Sequence, residues 1–549
     1  MKTVLVISGG GFQGLTLVRA LQQRSDVHVI ICDIFPENPT RYLCLDYRTA
    51  PPISNLDAFS RFVLDTAKQD HVDVIFPATA RELPALSRLK AELESIGTRV
   101  AVSGTNVLDI LLDKLKTYEW LQTAGLPVQE TFDPADCTVS YPLLGRPRNG
   151  WGGRGLIAVY NAEELQNHHN EWATHIWTRW LSGFDEFSLD FAIGLNGDVS
   201  PIVLRRRLRV SGGFSLISES VTDAPLFHLA KRAAQALSDL GGRGLFNIQV
   251  LATNDCEYLI SDVNPRSGTS ATHALAEGIN LPGFFVDSTT AGTAIAPVRR
   301  KKVRTIRLLQ DIYVPQLANA PKGVVFDLDD TLVDHKLWML KKIEATHPHC
   351  FAKHVDRSRL LLCAAQLIDE GIRSDLIDRL LSELSLPDAL RAEAIGAYRE
   401  AVVADTPLYN DAAQILLAFK SKGFPVAIVT DNPPATQRSK VANANALNCV
   451  DTVIYTREHG YEKPHRSGFI QAARSLALDP SQLVMVGDNY FRDGVGAVRA
   501  GYLHALIIRR TGGFINHHDG MTRDLSSDDS DRIDVVDSLL TAYHACVNS

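Results

Sequence analysis

The chain has 549 residues, 45% hydrophobic and 22% charged, with a formal net charge of −7. That length exceeds one hydrophobic core and implies roughly two to four domains. The acidic balance argues against sequence-independent nucleic-acid binding, and no apolar run reaches the roughly 18 residues that span a bilayer, so a cytoplasmic protein without membrane or nucleic-acid partners is expected.

The first hundred residues alternate short β-rich runs ("TVLVI", "VHVIICDI", "DVIFPAT", "RVAVSG") with helical stretches, which predicts a parallel doubly wound sheet. Inside the first turn, "SGGGFQG" places Gly9, Gly11 and Gly14 in a G-x-G-x-x-G pattern, with Asp33 about 20 residues on. Taken alone, this reads as an NAD fingerprint. The stretch "LDILLDKLKTYEWLQTAGLPVQET" predicts one helix ending at Gly125, with Pro127 behind it. From Tyr141 to about Pro297 strand signals dominate, broken by Gly-rich turns and a helix at "APLFHLAKRAAQALSDLGG". The eight cysteines contain no C-x-x-C and read as small core residues.

"YPLLGRPRNGWGGRGLIAV" lacks G-K-[ST], so it is not a Walker loop. Gly150, Gly152, Gly153 and Gly155 still allow a flexible hairpin to lie over phosphates. Downstream, "YLISDVNPRSG" projects Asp262 and Asn264 from one strand face, and Gln249 in "LFNIQVL" can sit beside them. These are hard oxygen ligands suited to Mg²⁺ bridging ATP phosphates. Arg266 comes next as a planar phosphate-binding fork. "LRRRLRVSGG" adds Arg205, Arg206, Arg207 and Arg209, for some of which solvated strand charge is the competing reading. The basic run at 299–302 reads as a solvated segment near a domain end.

A linker near "PQLANAPKG" precedes a fresh strand in "VVFDLDDTLVD", and alternation of strand and helix resumes. A helical insert interrupts it over about 335–405. "DLSSDDSD" reads as a loop before a last strand or turn and a helix. Asp327 and Asp329 stand two apart at a strand end, so period-2 geometry turns both toward the same side. Such a pair can hold Mg²⁺ and leave one oxygen as a nucleophile, splitting a slow phosphate-ester hydrolysis into two steps.

With "VAIVTDN", "EKP" and "VMVGDNYFRD" coming after it in order, residues 321–549 resemble the haloacid-dehalogenase-like (HAD) phosphohydrolases. The resemblance implies Asp327 as nucleophile and Asp329 as general acid/base, with Thr331 in the same motif. It implies Thr430 holding a phosphoryl oxygen and Lys463 pairing with nucleophile and phosphate. It places Asp488 on the metal beside Asp327 and the Asp329 carbonyl, with Asp493 near it, and makes the insert an α-helical cap. Residues 1–315 resemble the ATP-grasp superfamily, in its carbamoyl-phosphate-synthetase-like and amino-acid-ligase branches. That resemblance implies Lys114 and Arg146 on ATP phosphates, with the Gly152–Gly153 hairpin and Arg205 also assigned to the nucleotide. It puts Trp180 and Leu181 backbone at adenine, Glu186 near ribose, and metal on Gln249, Asp262 and Asn264. Arg146 stands where the family usually has lysine, and Asp262 where it usually has glutamate.

The expected architecture is α/β multidomain: a Rossmann-like pre-ATP-grasp domain (1–105), an α+β ATP-grasp domain (106–315) and a Rossmann-like HAD domain (316–549) with the cap. The expected function is an ATP-dependent, ADP-forming carboxylate–amine ligase with Arg266 catalytic, fused to a Mg²⁺-dependent phosphatase of the same small-molecule pathway. Cofactors are ATP and Mg²⁺, with Mn²⁺ as a substitute. Partners are a small carboxylate such as an amino acid, an amine and a phosphate ester; the resemblance adds a homodimer. A phosphatase whose ATP-grasp half only senses nucleotide is the alternative. The family shares the opening glycine turn without using NAD, so Asp33 loses its claim on ribose.

Overall fold

The computed structural model describes residues 1–548 apart from 137–138, 151–154, 255–256, 270, 291–299, 309–310, 373–374 and 511–530. The chain divides into two units, Met1–Gln310 and Asp311–Ser549.

The N-terminal unit opens with a five-stranded parallel sheet. Its strands run in the order Asp46–Thr49, Val27–Asp33, Lys2–Ile7, Val74–Pro77, Arg99–Val100. Continuous apolar strands such as Val4–Ile7 are buried, as expected for a parallel sheet covered on both faces. One face of this sheet shares a core with later segments of the same unit: Val4, Val6, Ile31 and Phe76 cluster with Ala192, Val203, Leu245 and Phe285.

The single helix expected over 108–125 is two helices, Thr105–Leu111 and Lys114–Thr123. Asp113 causes the break. Its carboxylate accepts from the Leu115 N–H at 2.9 Å and starts a new helix as an N-cap. The second helix ends before Gly125, whose φ of +66° a side chain would disfavour. Two antiparallel sheets complete the unit. A four-stranded one orders Thr131–Phe132, His175–Arg179, Leu143–Pro147 and Ile157–Val159. A six-stranded one orders Tyr258–Asn264, Gly244–Thr253, Phe184–Ile193, Val203–Ser211, Phe214–Ser220 and Arg304–Ile306.

The C-terminal unit has a six-stranded parallel sheet in the order Thr452–Tyr455, Val426–Thr430, Gly323–Phe326, Leu483–Gly487, His504–Ile508, Ile533–Val536. Strand Gly323–Phe326 lies where the winding reverses direction, and open parallel sheets bind ligands at the carboxyl ends of strands beside such a point. The insert contains helices His335–Thr346, Arg357–Asp369, Leu376–Glu383 and Arg391–Glu400. The tail supplies strand Ile533–Val536 and helix Leu539–Val547; most of "DLSSDDSD" lies outside the described residues.

Candidate active sites

Asp327 comes directly after the first strand of the C-terminal sheet, and its N–H donates to the Val486 carbonyl at 2.9 Å, which prolongs the parallel ladder by one residue. Asp488 stands at the end of the neighbouring strand Leu483–Gly487, so both carboxylates leave the sheet at the same edge. Carboxylate oxygens of Asp327, Asp488 and Asp493 lie within 4.8 Å of one another. Lys463 is their counter-ion: its Nζ donates to Asp327 Oδ1 and, at 2.6 Å, to Asp493 Oδ1.

Burial sets the electrostatics. Desolvation pushes the Asp327 carboxyl up, Lys463 opposes it, and Asp493 pushes the same way as burial. Asp488 is raised for the same reasons, burial first and the Asp327 charge second. Burial works against the Lys463 charge, but Asp327 and Asp493 outweigh it and raise the group. Three clustered carboxylates with one ammonium leave a deficit of positive charge among hard oxygen donors. That donor set fits Mg²⁺.

Asp329 faces a different set of partners. Its oxygens accept from Asn432 Nδ2 (2.6 Å), Gln437 Nε2 (3.0 Å) and Lys440 Nζ, and His335 Nδ1 lies 3.1 Å away. Burial pushes this carboxyl up, but Lys440 and His335 hold it well below the usual carboxylate range. Thr430 ends strand Val426–Thr430, and its Oγ1 accepts from Gln437 Nε2 at 2.6 Å. Thr331 is fully buried in the turn after Asp329.

Asp431 ties the loops together. It accepts from the Lys463 N–H (3.0 Å), Thr456 Oγ1 (2.6 Å) and Arg492 Nη2 (2.5 Å). Sequence reasoning assigned no role to Asp431, Gln437, Lys440, His335 or Arg492. Gln437 and Lys440 are the buried positions of helix Pro434–Ala442, where apolar residues usually stand, and only the structure shows that burial.

In the N-terminal unit the strand register brings together the oxygen donors. Gln249 pairs with Asp262 and Asn247 with Asn264 across the antiparallel ladder. Asn264 Nδ2 donates to Asp262 Oδ2 at 3.0 Å, and Arg266 Nη2 donates to Asn264 Oδ1 at 3.1 Å. Burial lowers the Arg266 pKa, with Asp262 opposing. Lys114 is lowered by burial too, with the Asp262 charge opposing, and its Nζ donates to the Gly150 carbonyl at 2.8 Å. Arg146 reaches the same strand, since its Nη1 donates to the Ser261 carbonyl at 3.0 Å and its Nη2 to the Tyr118 hydroxyl. Lys114, Arg146, Asp262, Asn264 and Arg266 therefore form one neighbourhood, and its carboxylate and amide oxygens suit Mg²⁺ while its cations suit phosphates.

The other nucleotide expectations fall out unevenly. The Trp180 N–H is spent on the Pro142 carbonyl at 3.0 Å, which leaves its carbonyl rather than its amide for adenine. Leu181 is half-buried beside it. Glu186 Oε2 pairs with Arg207 Nη1 at 3.0 Å. Arg205 is 3% exposed, its Nε donates to Asp190 Oδ2 at 2.7 Å, and its Nη1 is buried without a hydrogen-bond partner among the described residues. Neighbouring strands put these two on one buried face, so the Nε is used within the sheet. Gly152 and Gly153 lie outside the described residues.

The opening glycine turn is filled by its own chain. Asp33 Oδ2 accepts from the Gly10 N–H at 2.8 Å, and a Cβ on Gly10 would fall 1.7 Å from Asn38 Nδ2. A Cβ on Gly14 would meet the Gly9 carbonyl oxygen at 2.0 Å. These glycines serve close packing of loop on helix, and the Asp33 carboxylate is turned into the loop.

Comparison with known proteins agrees with these two arrangements. Residues 4–101 match the family model of the PylC-like N-terminal domain, and 174–312 that of the ATP-grasp in the biosynthetic pathway with Ter operon. Residues 321–501 match the haloacid dehalogenase-like hydrolase model. The carbamoyl phosphate synthase arginine-specific large chain of Halalkalibacterium halodurans is 25% identical over 290 residues, which is 49% of this chain and 27% of that one. The glyceraldehyde 3-phosphate phosphatase of Methanopyrus kandleri is 33% identical over 120 residues, 22% of this chain and 52% of its own length. That of Pyrococcus abyssi is 30% identical over 188 residues, covering 33% of this chain and 78% of the phosphatase. The chain belongs, through its C-terminal half, to the haloacid dehalogenase-like hydrolases, and carries a PylC-like and an ATP-grasp domain before it.

Proposed function

We propose that the C-terminal unit is a phosphatase working through an aspartyl-phosphate. The observation that carries this reading is the Asp327–Lys463–Asp493–Asp488 cluster at the carboxyl edge of the parallel sheet. Asp327 Oδ attacks the phosphorus of a monoester while the ester oxygen departs, and Asp329 donates a proton to that oxygen, which requires it to be protonated against the pull of Lys440 and His335. Water then attacks phosphorus, Asp329 takes its proton, and Asp327 leaves as a free carboxylate. Lys463 and the Thr430 hydroxyl balance charge on the phosphoryl oxygens. Mg²⁺, held by Asp327, Asp488 and the Asp329 carbonyl, would offset the negative charge of nucleophile and phosphate.

The N-terminal unit is proposed to be an ADP-forming carboxylate–amine ligase, its domains divided near residue 105. Lys114 and Arg146 would hold ATP phosphates. Asp262, Asn264 and Gln249 would hold Mg²⁺, and Arg266 would steady the transferred phosphoryl group. A carboxylate takes the γ-phosphoryl group to give an acylphosphate, and an amine then displaces phosphate. The same small molecule passes through both halves.

The test is an acid and amine screen for ADP release together with a phosphate-ester screen, on the full chain with Mg²⁺. Asp327→Asn should abolish phosphate release from esters. Unchanged turnover in that variant removes the aspartyl-phosphate mechanism, and ADP release that ignores every acid removes the ligase in favour of nucleotide sensing.

A further inference from the structure

We propose that the helical insert of the C-terminal unit carries a carboxylate-binding subsite built on Lys342 and Tyr398, which reads the leaving group of the phosphate ester and so selects acidic substrates. The inference rests on the phosphatase reading above and adds its substrate class.

Lys342 lies on helix His335–Thr346 and is 7% exposed. Its ammonium sits 5.2 Å from the Trp338 ring centre and 4.6 Å from that of Tyr398, which comes from helix Arg391–Glu400. Among the described residues no carboxylate pairs with it and no hydrogen bond reaches it. Its own burial and the like charge of Lys440 both disfavour its charged form. A buried cation without a counter-ion is costly, and two aromatic faces offset only part of that cost. The hydroxyl of that same Tyr398 also has no hydrogen-bond partner among the described residues.

The cage is continuous with the chemistry. Lys440 is fully buried, lies 4.2 Å from the centre of the same Trp338 ring, and donates to Asp329. The His335 ring stacks on Trp338 at 5.7 Å, and His335 Nδ1 lies 3.0 Å from Lys440 Nζ. Two lysines and a histidine thus surround one indole, and Lys440 and His335 both reach Asp329. The Trp338 ring thus links the Lys440–Asp329 pair to the Lys342 ammonium. An anion attached to the leaving group supplies the missing charge. One ammonium and one hydroxyl suit the two oxygens of a singly charged carboxylate; a dianionic phosphate would need more donors.

The experiment measures binding by isothermal titration to the full chain carrying Asp327→Asn, with Mg²⁺ present. The ligands are 2-phosphoglycolate and 2-hydroxyethyl phosphate, its counterpart with a neutral hydroxymethyl group in place of the carboxylate. The Asp327→Asn chain should bind the carboxylate ligand about tenfold more tightly, the worth of one charge-assisted contact. Adding Lys342→Met should bring the ratio to about one while affinity for 2-hydroxyethyl phosphate holds. Lys342→Arg should keep the ratio, and Tyr398→Phe should narrow it without disturbing the neutral ligand. Equal or undetectable binding of both ligands overturns the subsite, as does a ratio that survives both Lys342→Met and Tyr398→Phe. Should Lys342→Met not fold, Tyr398→Phe alone decides. Wild-type turnover of both esters is read in parallel: a binding preference with no hydrolysis of either keeps the subsite and removes the phosphatase reading.

Discussion

Three carboxylates around one ammonium set the physics of the C-terminal site at the scale of single residues. Lys463 is almost wholly buried and holds Asp327 and Asp493. Lys463→Met removes the counter-ion and leaves the acids, so it should cost about 3–5 kcal/mol of stability in metal-free protein. Urea unfolding of the C-terminal unit checks this; a cost below about 1 kcal/mol contradicts the reading. The same cluster predicts a pH trend. Burial raises the folded-state Asp327 pKa from 3.8 to about 8. Between those values the folded state binds more protons than the unfolded one, so metal-free stability should fall as pH rises through the window. Mg²⁺ should abolish the trend and stabilise more at the high-pH end; thermal unfolding with and without EDTA checks it. Asp327, Asp329, Lys463 and Asp488 were legible because each ends a strand or sits in a short motif. Asp431, Gln437 and Lys440 were not, because only the packing of helix Pro434–Ala442 and the loops beyond it brings them to the site.

At the scale of elements, local chemistry won over periodicity. The 108–125 stretch carries helical periodicity throughout, yet Asp113 breaks it by offering its carboxylate to the next helix and to Arg148 Nη2 at 2.6 Å. An Asp inside a helical pattern is ambiguous in sequence, since capping and interior solvation leave the same letter. The break matters because it places Lys114 on the first turn, next to the Gly150 carbonyl. The glycine turn at Ser8–Gly14 teaches the reverse: the motif specified the strand–turn–helix geometry, and its glycines pack against their own loop. Its glycines should be unequal. Gly14→Ala drives a Cβ against the Gly9 carbonyl oxygen and should destabilise the N-terminal unit by about 1–3 kcal/mol. Gly11→Ala meets nothing closer than 3.7 Å and should be nearly neutral. Chemical unfolding of both variants tests this, and a large loss in Gly11→Ala would show that the turn holds more than its own chain.

At the scale of the whole molecule, two clusters of carboxylates and cations share one chain, one in each unit. Their residues do not overlap: Asp262 and Asn264 end strand Tyr258–Asn264 of one unit with Arg266 just beyond it, while Asp327 and Asp488 directly follow strands of the other. The fold classes were legible because alternation, glycine turns and strand-end acids are local patterns. The shared core between the first sheet and the ATP-grasp sheet was not, because it depends on which faces meet. Separate clusters predict separable activities. Arg266→Met should lower acid-dependent ADP release by about 10²–10³-fold, the worth of a preorganised charge at a developing anion, and leave ester hydrolysis unchanged. Asp327→Asn should do the opposite. If the halves act in sequence on one molecule, the Asp327→Asn chain supplied with ATP, acid and amine should accumulate a ligated product that still carries its phosphate ester. Wild type should release that phosphate in addition to the one produced with ADP. Mass spectrometry of the product and the ratio of phosphate to ADP decide the matter. A ratio near two in wild type and near one in Asp327→Asn supports sequential action, whereas one phosphate per ADP in both makes the fusion a pairing of independent enzymes.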